Sequence, residues 1–475
     1  MNVLAALVVL TAACGDNATA RSVEQLRDPA TCIECHPQHV AQWAGSMHAY
    51  ASDDPVFVAM NRRGQRETSG QLGDFCVKCH APMAVALGLA NGSNFDPAAL
   101  PAEARGITCY FCHNIAEVTE DHNNGLVLAN DQTMRGGAMN PVTSPAHFSK
   151  YDEQMDSDSS TNQSKMCGSC HDILVPERIN GVAGGVALER TFAEWRMSFL
   201  ASDPNPKAHL TCGGCHMISK TDLIADAPGL EVVPRPDGYH EHRWPGIDQA
   251  LDAFVDVDAQ AAAIKRDLDP AVRIVGPLMD SGGIKTQYGG ICLDPDGLKI
   301  RIDNLGAGHA VPSGASQDRR LWLEVTAFAA DGTLVFSSGV VAEGQDPLDT
   351  PGEINVATFG AWDRAFRADN SRAHMFWDVA RIASQPLKLP LVRGEDHSTT
   401  VKFQIAGANL IDRIETRLLI RPLSFELLAD LEASSDLAPG IAAKMNTLVV
   451  GGGSSTWTRA TSGMPPAEFT NCNPR

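Results

Sequence analysis

Five short segments of this chain repeat one pattern: "CIECH" (Cys32, Cys35, His36), "CVKCH" (Cys76, Cys79, His80), "CYFCH" (Cys109, Cys112, His113), "CGSCH" (Cys167, Cys170, His171) and "CGGCH" (Cys212, Cys215, His216). C-x-x-C-H is the attachment sequence for c-type haem. Two cysteines three apart lie on one side of a helical turn, where both thiols reach the two vinyl groups on one edge of a porphyrin. The adjacent histidine then brings a ring nitrogen under the iron. Five such attachments between Cys32 and His216 constrain the fold more than any other feature. Porphyrin faces replace much of the usual hydrophobic core, so short helices joined by long irregular connections are expected. In a chain without cofactors, such connections would argue against a compact domain.

Zinc is the main competitor, because C-x-x-C pairs can combine into four-cysteine sites. An odd number of pairs fits zinc poorly, and zinc gives no reason for a histidine after every pair. A disulfide framework fails on the same ground. The expected cofactors are therefore five c-type haems, held covalently by the ten motif cysteines and axially by His36, His80, His113, His171 and His216.

Each haem iron has a second axial position. A second histidine there gives a six-coordinate iron suited to electron transfer, whereas an open position suits substrate binding. The chain has fifteen histidines in all. His48 lies about three turns down an apparent helix, "HPQHVAQWAGSMHAYA", that leaves the first motif. His147 lies in "SPAHFS", ahead of the fourth motif. His240 and His242 share "GYHEHRWPG" after the fifth, and His122 sits in an acidic, asparagine-rich stretch. These five are candidate second ligands. His39 is one turn from His36 and reads as a solvated residue. His209 precedes the fifth motif too closely to reach across it, and His374 and His397 have no special context. Met83 and Met217 follow proximal histidines and read as core packing.

Composition narrows the partners. Asp and Glu number 57 against 38 Lys and Arg, for a net charge of −19. That excludes a nucleic-acid partner, which needs a basic surface, and permits a basic redox partner protein. The N-terminus is apolar from Val3 to Leu10 and then small, "TAACGD". It is too short to span a bilayer and resembles an export signal. "LTAACG" is similar to a bacterial lipoprotein processing site, with Cys14 as the lipidated residue. The expected location is the periplasm or the outer membrane and cell surface, with a possible outer-membrane lipid anchor through Cys14.

"CIECH…W…SMHA", "GITCYFCHNI", "SPAHFS…KMCGSCHDI" and "ERTFAEWRMSFLA…CGGCHM" together resemble the exported bacterial multihaem cytochrome c family. That family includes relatives of the tetrahaem electron carriers of nitrifiers. The resemblance covers roughly residues 30 to 246. It implies that the histidine of "SxHA" and the one upstream of the fourth motif serve as distal ligands, which points to His48 and His147. "NLGAGHAVPSG" (304–314) with the following "QDRRLWLEVTAF" resembles a C-terminal module of such cytochromes, whose loop histidine caps a haem. This chain has no C-x-x-C-K, the variant at the catalytic haem of ammonia-forming nitrite reductases. It also lacks the seven or eight attachment sites of hydroxylamine-oxidising enzymes.

The C-terminal half changes character. Ile247 to Asp269 reads as helical. "LWLEVTAFAADGTLVF" reads as two alternating strands around Asp331-Gly332, a strong hairpin signal. "STTVKFQIAG" and "IETRLLIRPLS" also alternate, and helical patterning returns in "FELLADLEA". The expected fold class is α+β: a mainly helical and irregular multihaem domain followed by a β-sandwich-like domain. The expected divisions are a leader and linker (1–21), a pentahaem domain (22–246), a helical connector (247–290) and the β domain (291–475). Cys292 and Cys472 are left over, and an even pair in an exported protein suggests a disulfide.

His309 is the one histidine of the 304–314 loop, so the β domain is expected to fold back and present it to a haem. Glycines 306, 308 and 314 would let the backbone come close, and Pro312 would stiffen it. The leading reading is an electron conduit with mostly bis-histidine haems. A haem enzyme acting on a small nitrogen or sulfur compound needs one five-coordinate iron and nearby proton donors such as Tyr110 or Arg243. A structural or filament-forming cytochrome would use free edge strands of the β domain.

Overall fold

The computed structural model describes residues 20–136, 146–152, 155, 161–202, 210–220, 225, 239–274, 291–294, 297–304, 306–347, 358–389 and 398–460. Cys14, His209, His397 and Cys472 lie outside them. The architecture is α+β. Through His216 the helices are short, from single turns up to thirteen residues, and the strands form only two-stranded ribbons. Beyond residue 270, two larger sheets take over.

The stretch after the first motif is not one helix. Helix α1 (Pro37–Ala44) starts on Pro37, whose fixed φ suits a first turn, and stops at Gly45. Ser46 then opens a separate turn, Met47–Tyr50, its hydroxyl accepting from the Ala49 amide. The break turns His48 away from the first motif. Helix α2 (Pro55–Glu67) is capped by the Asp54 carboxylate, which accepts from the Val56 amide at 2.9 Å. Its Val56 and Ala59 pack with Leu72 and Phe75 against Trp377, Leu427, Leu428 and Leu431. One apolar cluster therefore joins the first and last thirds of the chain. Helix α3 (Thr191–Met197) buries Phe192, Ala193 and Trp195.

The connector differs from the sequence expectation. Helix α4 (Val257–Ala271) begins ten residues later than the apolar pattern suggests. Asp256 adopts φ +59°, a left-handed conformation that a helix cannot continue through. Helix α5 (Phe425–Ala433) matches "FELLADLEA" and is capped by Ser424.

All strand pairs beyond residue 270 are antiparallel. Strands β1 (Val272–Ile274), β2 (Ile291–Asp294), β3 (Gly297–Asn304), β4 (Arg320–Ala329), β5 (Leu334–Ser338), β6 (Phe359–Gly360), β7 (Ser398–Phe403), β8 (Ile411–Arg421) and β9 (Leu448–Thr458) form two sheets. In the first, β3 is central, with β7 on one edge and β2 then β1 along the other. In the second the order is β5-β4-β8-β9, with β6 completing the β4 edge. Gly332 takes φ +85° in the β4–β5 hairpin, as the Asp-Gly turn requires. Alternate residues of both sheets (Leu298, Ile300 and Ile302 of β3; Leu321, Leu323 and Val325 of β4; Ile414, Leu418 and Ile420 of β8) share one buried cluster. The sheets are thus the two layers of a sandwich.

The 304–314 loop connects β3 of one layer to β4 of the other, so it crosses the open end of the sandwich. Gly308 and Gly314 have φ of +73° and +71°, which glycine adopts without strain. Gly306 approaches α4: a Cβ there would sit 2.5 Å from the Pro270 carbonyl oxygen. Cys292 is disulfide-bonded. Among the described residues no helix is long and apolar enough to cross a membrane.

Candidate haem-attachment sites

Each motif is one helical turn. The amides of His36, His80 and His171 donate to the carbonyls of Cys32, Cys76 and Cys167 at 2.7, 3.2 and 3.0 Å. The turns Cys109–His113 and Cys212–His216 are opened by Thr108 and Thr211, whose hydroxyls accept from Phe111 and Gly214. A threonine before the first cysteine thus supplies a local N-cap, which fixes the turn. Cys35 is disulfide-bonded, so the first motif offers both thiols to a porphyrin only once that bond is reduced.

The tertiary fold gathers the motifs. Cys32 of the first hydrogen-bonds Cys109 of the third. Cys79 of the second hydrogen-bonds Cys170 of the fourth, and Cys167 of the fourth hydrogen-bonds Cys212 of the fifth. Cys112 of the third acts electrostatically on both fourth-motif cysteines. Burial pushes the Cys76 and Cys112 thiols up to about 12. The Cys212 thiol is held down, chiefly by its bond from Cys167. Most of these sulfurs are therefore neutral thiols in an apolar setting.

The histidines meet in pairs. Ring centres lie 6.4 Å apart for His36 and His147, 6.1 Å for His48 and His171, 6.2 Å for His113 and His242, and 6.5 Å for His216 and His309. Four of the five motif histidines thus face a second imidazole at nearly one spacing. Two imidazoles bound to opposite sides of one metal, each by a bond of on the order of 2 Å, hold their ring centres roughly 6 Å apart. Ordinary ring stacking is closer, as Phe57 on His80 illustrates at 4.0 Å. Among the described residues no three His, Cys, Asp or Glu side chains converge on a common metal position. The donor sets are thus two-nitrogen axial sets beside paired thiols, which fits a porphyrin iron and does not fit a protein-only zinc site.

Protonation agrees. The Nδ1 atoms of His80, His113 and His216 lie 3.1, 2.6 and 2.8 Å from the carbonyls of Ala51, Arg135 and Pro245. A carbonyl only accepts, so each Nδ1 carries the proton and Nε2 keeps its lone pair for a metal. His242 and His309 do the same toward His240 and Ala310, at 2.7 and 2.8 Å. Burial pulls His48 down to about 3, and His80 and His309 down to about 4. His113, His147 and His171 are lowered by the same cause. All are neutral near pH 7, as ligation requires.

The structure brings together several sequence candidates and separates others. His147 faces the first motif, not the fourth, and His48 faces the fourth, not the first. His242 faces His113, while His240 holds the Met217 carbonyl through Nδ1 at 2.8 Å. His122 pairs with the Asp121 carboxylate at 3.1 Å. No described histidine ring faces His80 across a metal-sized gap. His39 is the residue that sequence reasoning misjudged. It is half-buried, 4.8 Å from the His242 ring and 4.6 Å from the Tyr239 ring, and burial pulls it down to about 3. Its place on α1 faces inward because Tyr239 and His242 cover that side, which local sequence does not reveal. Tyr110 is fully buried and donates to the Asp131 carbonyl. Arg243 pairs with Asp256 at 2.8 Å, so both have structural tasks.

Residues 31–114 match the family model described as cytochrome c554 and c-prime. In three dimensions the chain is similar to a penta-heme cytochrome c552 from Thermochromatium tepidum. The TM-score is 0.55 at 17% identity, over 92% of this chain and 98% of that one. No curated protein matches the chain in sequence. The family match thus spans the first three of the five motifs, and the structural likeness, at 17% identity, is one of fold.

Proposed function

We propose that this chain is an exported pentahaem electron carrier, working in the periplasm or at the outer membrane and handing electrons between redox partner proteins. The single observation that carries this reading is the set of four imidazole pairs at 6.1–6.5 Å. When bound, haem supplies an iron that cycles between the ferric and ferrous states. The chain's own part is to fix both axial nitrogens, keep them neutral, and exclude water. Two rigidly held imidazoles ask little rearrangement of their surroundings when the charge changes. Hydrogen bonds between cysteines link the first motif to the third and the fourth to both second and fifth, and the electrostatic reach of Cys112 to the fourth supports an order of attachment points that runs from third to fourth. The fourth motif is thus the branch point, and the first, second and fifth are the ends at which partners could dock. The lipoprotein-like Cys14 would tether the carrier to the outer membrane.

Two measurements test this on the full-length exported protein. Haem quantification per chain should return five, and the oxidised protein should give low-spin signals in electron paramagnetic resonance for at least four haems. Fewer than five haems, or high-spin iron at more than one of them, would refute it.

One observation favours a second reading at the second motif. The His80 ring has Phe57 stacked on its face at 4.0 Å and a carbonyl at Nδ1, but no described imidazole opposite. A five-coordinate iron there would add reduction or oxidation of a small nitrogen or sulfur compound to the conduit. A single high-spin signal that cyanide converts to low-spin supports this reading, and an all-low-spin spectrum removes it.

A further inference from the structure

The β-sandwich end that carries His309 does not reach the fifth motif unaided. Helix α3 lies between, and its polar side chains grip the loop. One Glu194 carboxylate oxygen accepts from the Ala310 amide at 3.1 Å and from the Ser313 hydroxyl at 2.7 Å. Ser313 in turn accepts from the Thr191 hydroxyl at 2.8 Å, and Thr191 accepts from the Gly314 amide at 3.0 Å. Thr191 and Glu194 are three apart, so one face of the helix presents both. The loop residues they hold, 310 to 314, begin immediately after His309.

The same helix is tied to two motifs. The Ala193 amide donates to the Asp172 carboxylate at 3.0 Å, and Asp172 directly follows His171. The Trp195 indole donates to the Leu210 carbonyl at 2.9 Å, two residues before Cys212. Within seven residues, α3 therefore references the fourth motif, the fifth motif and the loop that faces the fifth. On the far side of the loop, the Arg319 guanidinium binds the Ser313 carbonyl at 2.9 Å and the Asp248 carboxylate at 3.0 Å. The Asn304 amide holds the His309 carbonyl at 2.7 Å.

We infer that Glu194, assisted by Thr191, is the positioning residue that seats His309 opposite His216 and so decides whether the haem of the fifth motif is six-coordinate. This rests on the reading of His309 as an axial ligand. A loop crossing the end of a sandwich, with two left-handed glycines, has little stiffness of its own. Two hydrogen bonds to a carboxylate, each stronger than a neutral one, supply it at the residue next to the ligand. Glutamine keeps an acceptor oxygen at that place, whereas alanine removes it.

The experiment uses the full-length holoprotein and electron paramagnetic resonance of the ferric state. Glu194→Ala should add up to one high-spin haem per chain over the wild type. Added imidazole should return it to low-spin, and Glu194→Gln should look like the wild type. His309→Ala is the reference and should add one high-spin haem in full. If Glu194→Ala stays low-spin while His309→Ala does not, the positioning role is overturned and the ligand reading stands. If His309→Ala also stays low-spin, the ligand reading fails and takes the proposal with it. Should Glu194→Ala not accumulate, Thr191→Val and Ser313→Ala carry the test, and unchanged spectra in both overturn the proposal.

Discussion

Gly64 offers a direct test of how the β half docks on the haem-binding half. It lies in the third turn of α2 and is fully packed. A Cβ at this position would sit 2.6 Å from Leu72 Cδ2 and 3.0 Å from Trp377 Cζ3. Leu72 is buried and Trp377 nearly so. The indole cannot slide away, because its Nε1 donates to Glu67 at 2.9 Å. Alanine in a helix interior gains up to about 1 kcal/mol over glycine. Overpacking a filled core costs about 1–3 kcal/mol. The steric term wins here, so Gly64→Ala should lower stability by about 1–2 kcal/mol. Denaturant unfolding followed by circular dichroism reads this as a lower midpoint at unchanged slope. In a Trp377→Leu background the clash is relieved, and the same substitution should become neutral or stabilising. The two changes should therefore couple by about 1 kcal/mol or more. A Gly64→Ala protein more stable than the wild type would refute the close approach, and with it the docking that brings the β half over the motifs.

Other perturbations probe single links. Asn114, fully buried after His113, donates to the carbonyls of Asp131 and Thr133 and accepts from the Asn130 amide; Asn114→Ala should cost about 2–3 kcal/mol in the same unfolding assay. Gly106 has φ +62°, and a Cβ there would lie 2.5 Å from the carbonyl oxygens of both His48 and Ala49. Gly106→Ala should therefore displace the His48 turn and put high-spin character into the haem of the fourth motif, visible by electron paramagnetic resonance. Glu189, beside Asp248 and Asp318, is pushed from its ordinary 4.5 up to about 7, chiefly by burial and against the pull of Arg319. Its folded value lies above the unfolded one, so the contribution of the neutral form is complete below about 4.5 and is lost as pH rises through about 7. Glu189→Gln should remove that decline and leave the variant more stable above pH 7, by at most about 3 kcal/mol; identical pH–stability curves for both proteins would contradict this.

Much of the molecule was legible in its sequence because the relevant physics is local. Cysteine spacing and the trailing histidine place each attachment turn without reference to anything distant. Alternation in β4 and β8, the Asp-Gly hairpin and the capped helix "FELLADLEA" are likewise short-range signals, and all three appear in place. The helical pattern from Ile247 misled for a local reason too: apolar spacing does not register one residue, Asp256, held at positive φ.

The pairing of the histidines belongs to another class of information. His147 faces the first motif, and His48 faces the fourth because Gly45 and Ser46 break a helix and redirect the chain. His242, not His240, meets His113, because the strand ends at His240, whose ring is turned to the Met217 carbonyl. His39 is half-buried only because residues 239–242 return over α1. His309 reaches the fifth motif through α3, more than a hundred residues earlier in the chain. Sequence alone determined which side chains could serve at each attachment turn, since that follows from residue type and motif spacing, whereas the carbonyls that fix the free nitrogen of His80, His113 and His216 come from the fold. Which imidazole faces which was decided by the tertiary structure. That pairing depends on where distant segments close in space, and each closure is set by the whole packed chain rather than by any stretch of it.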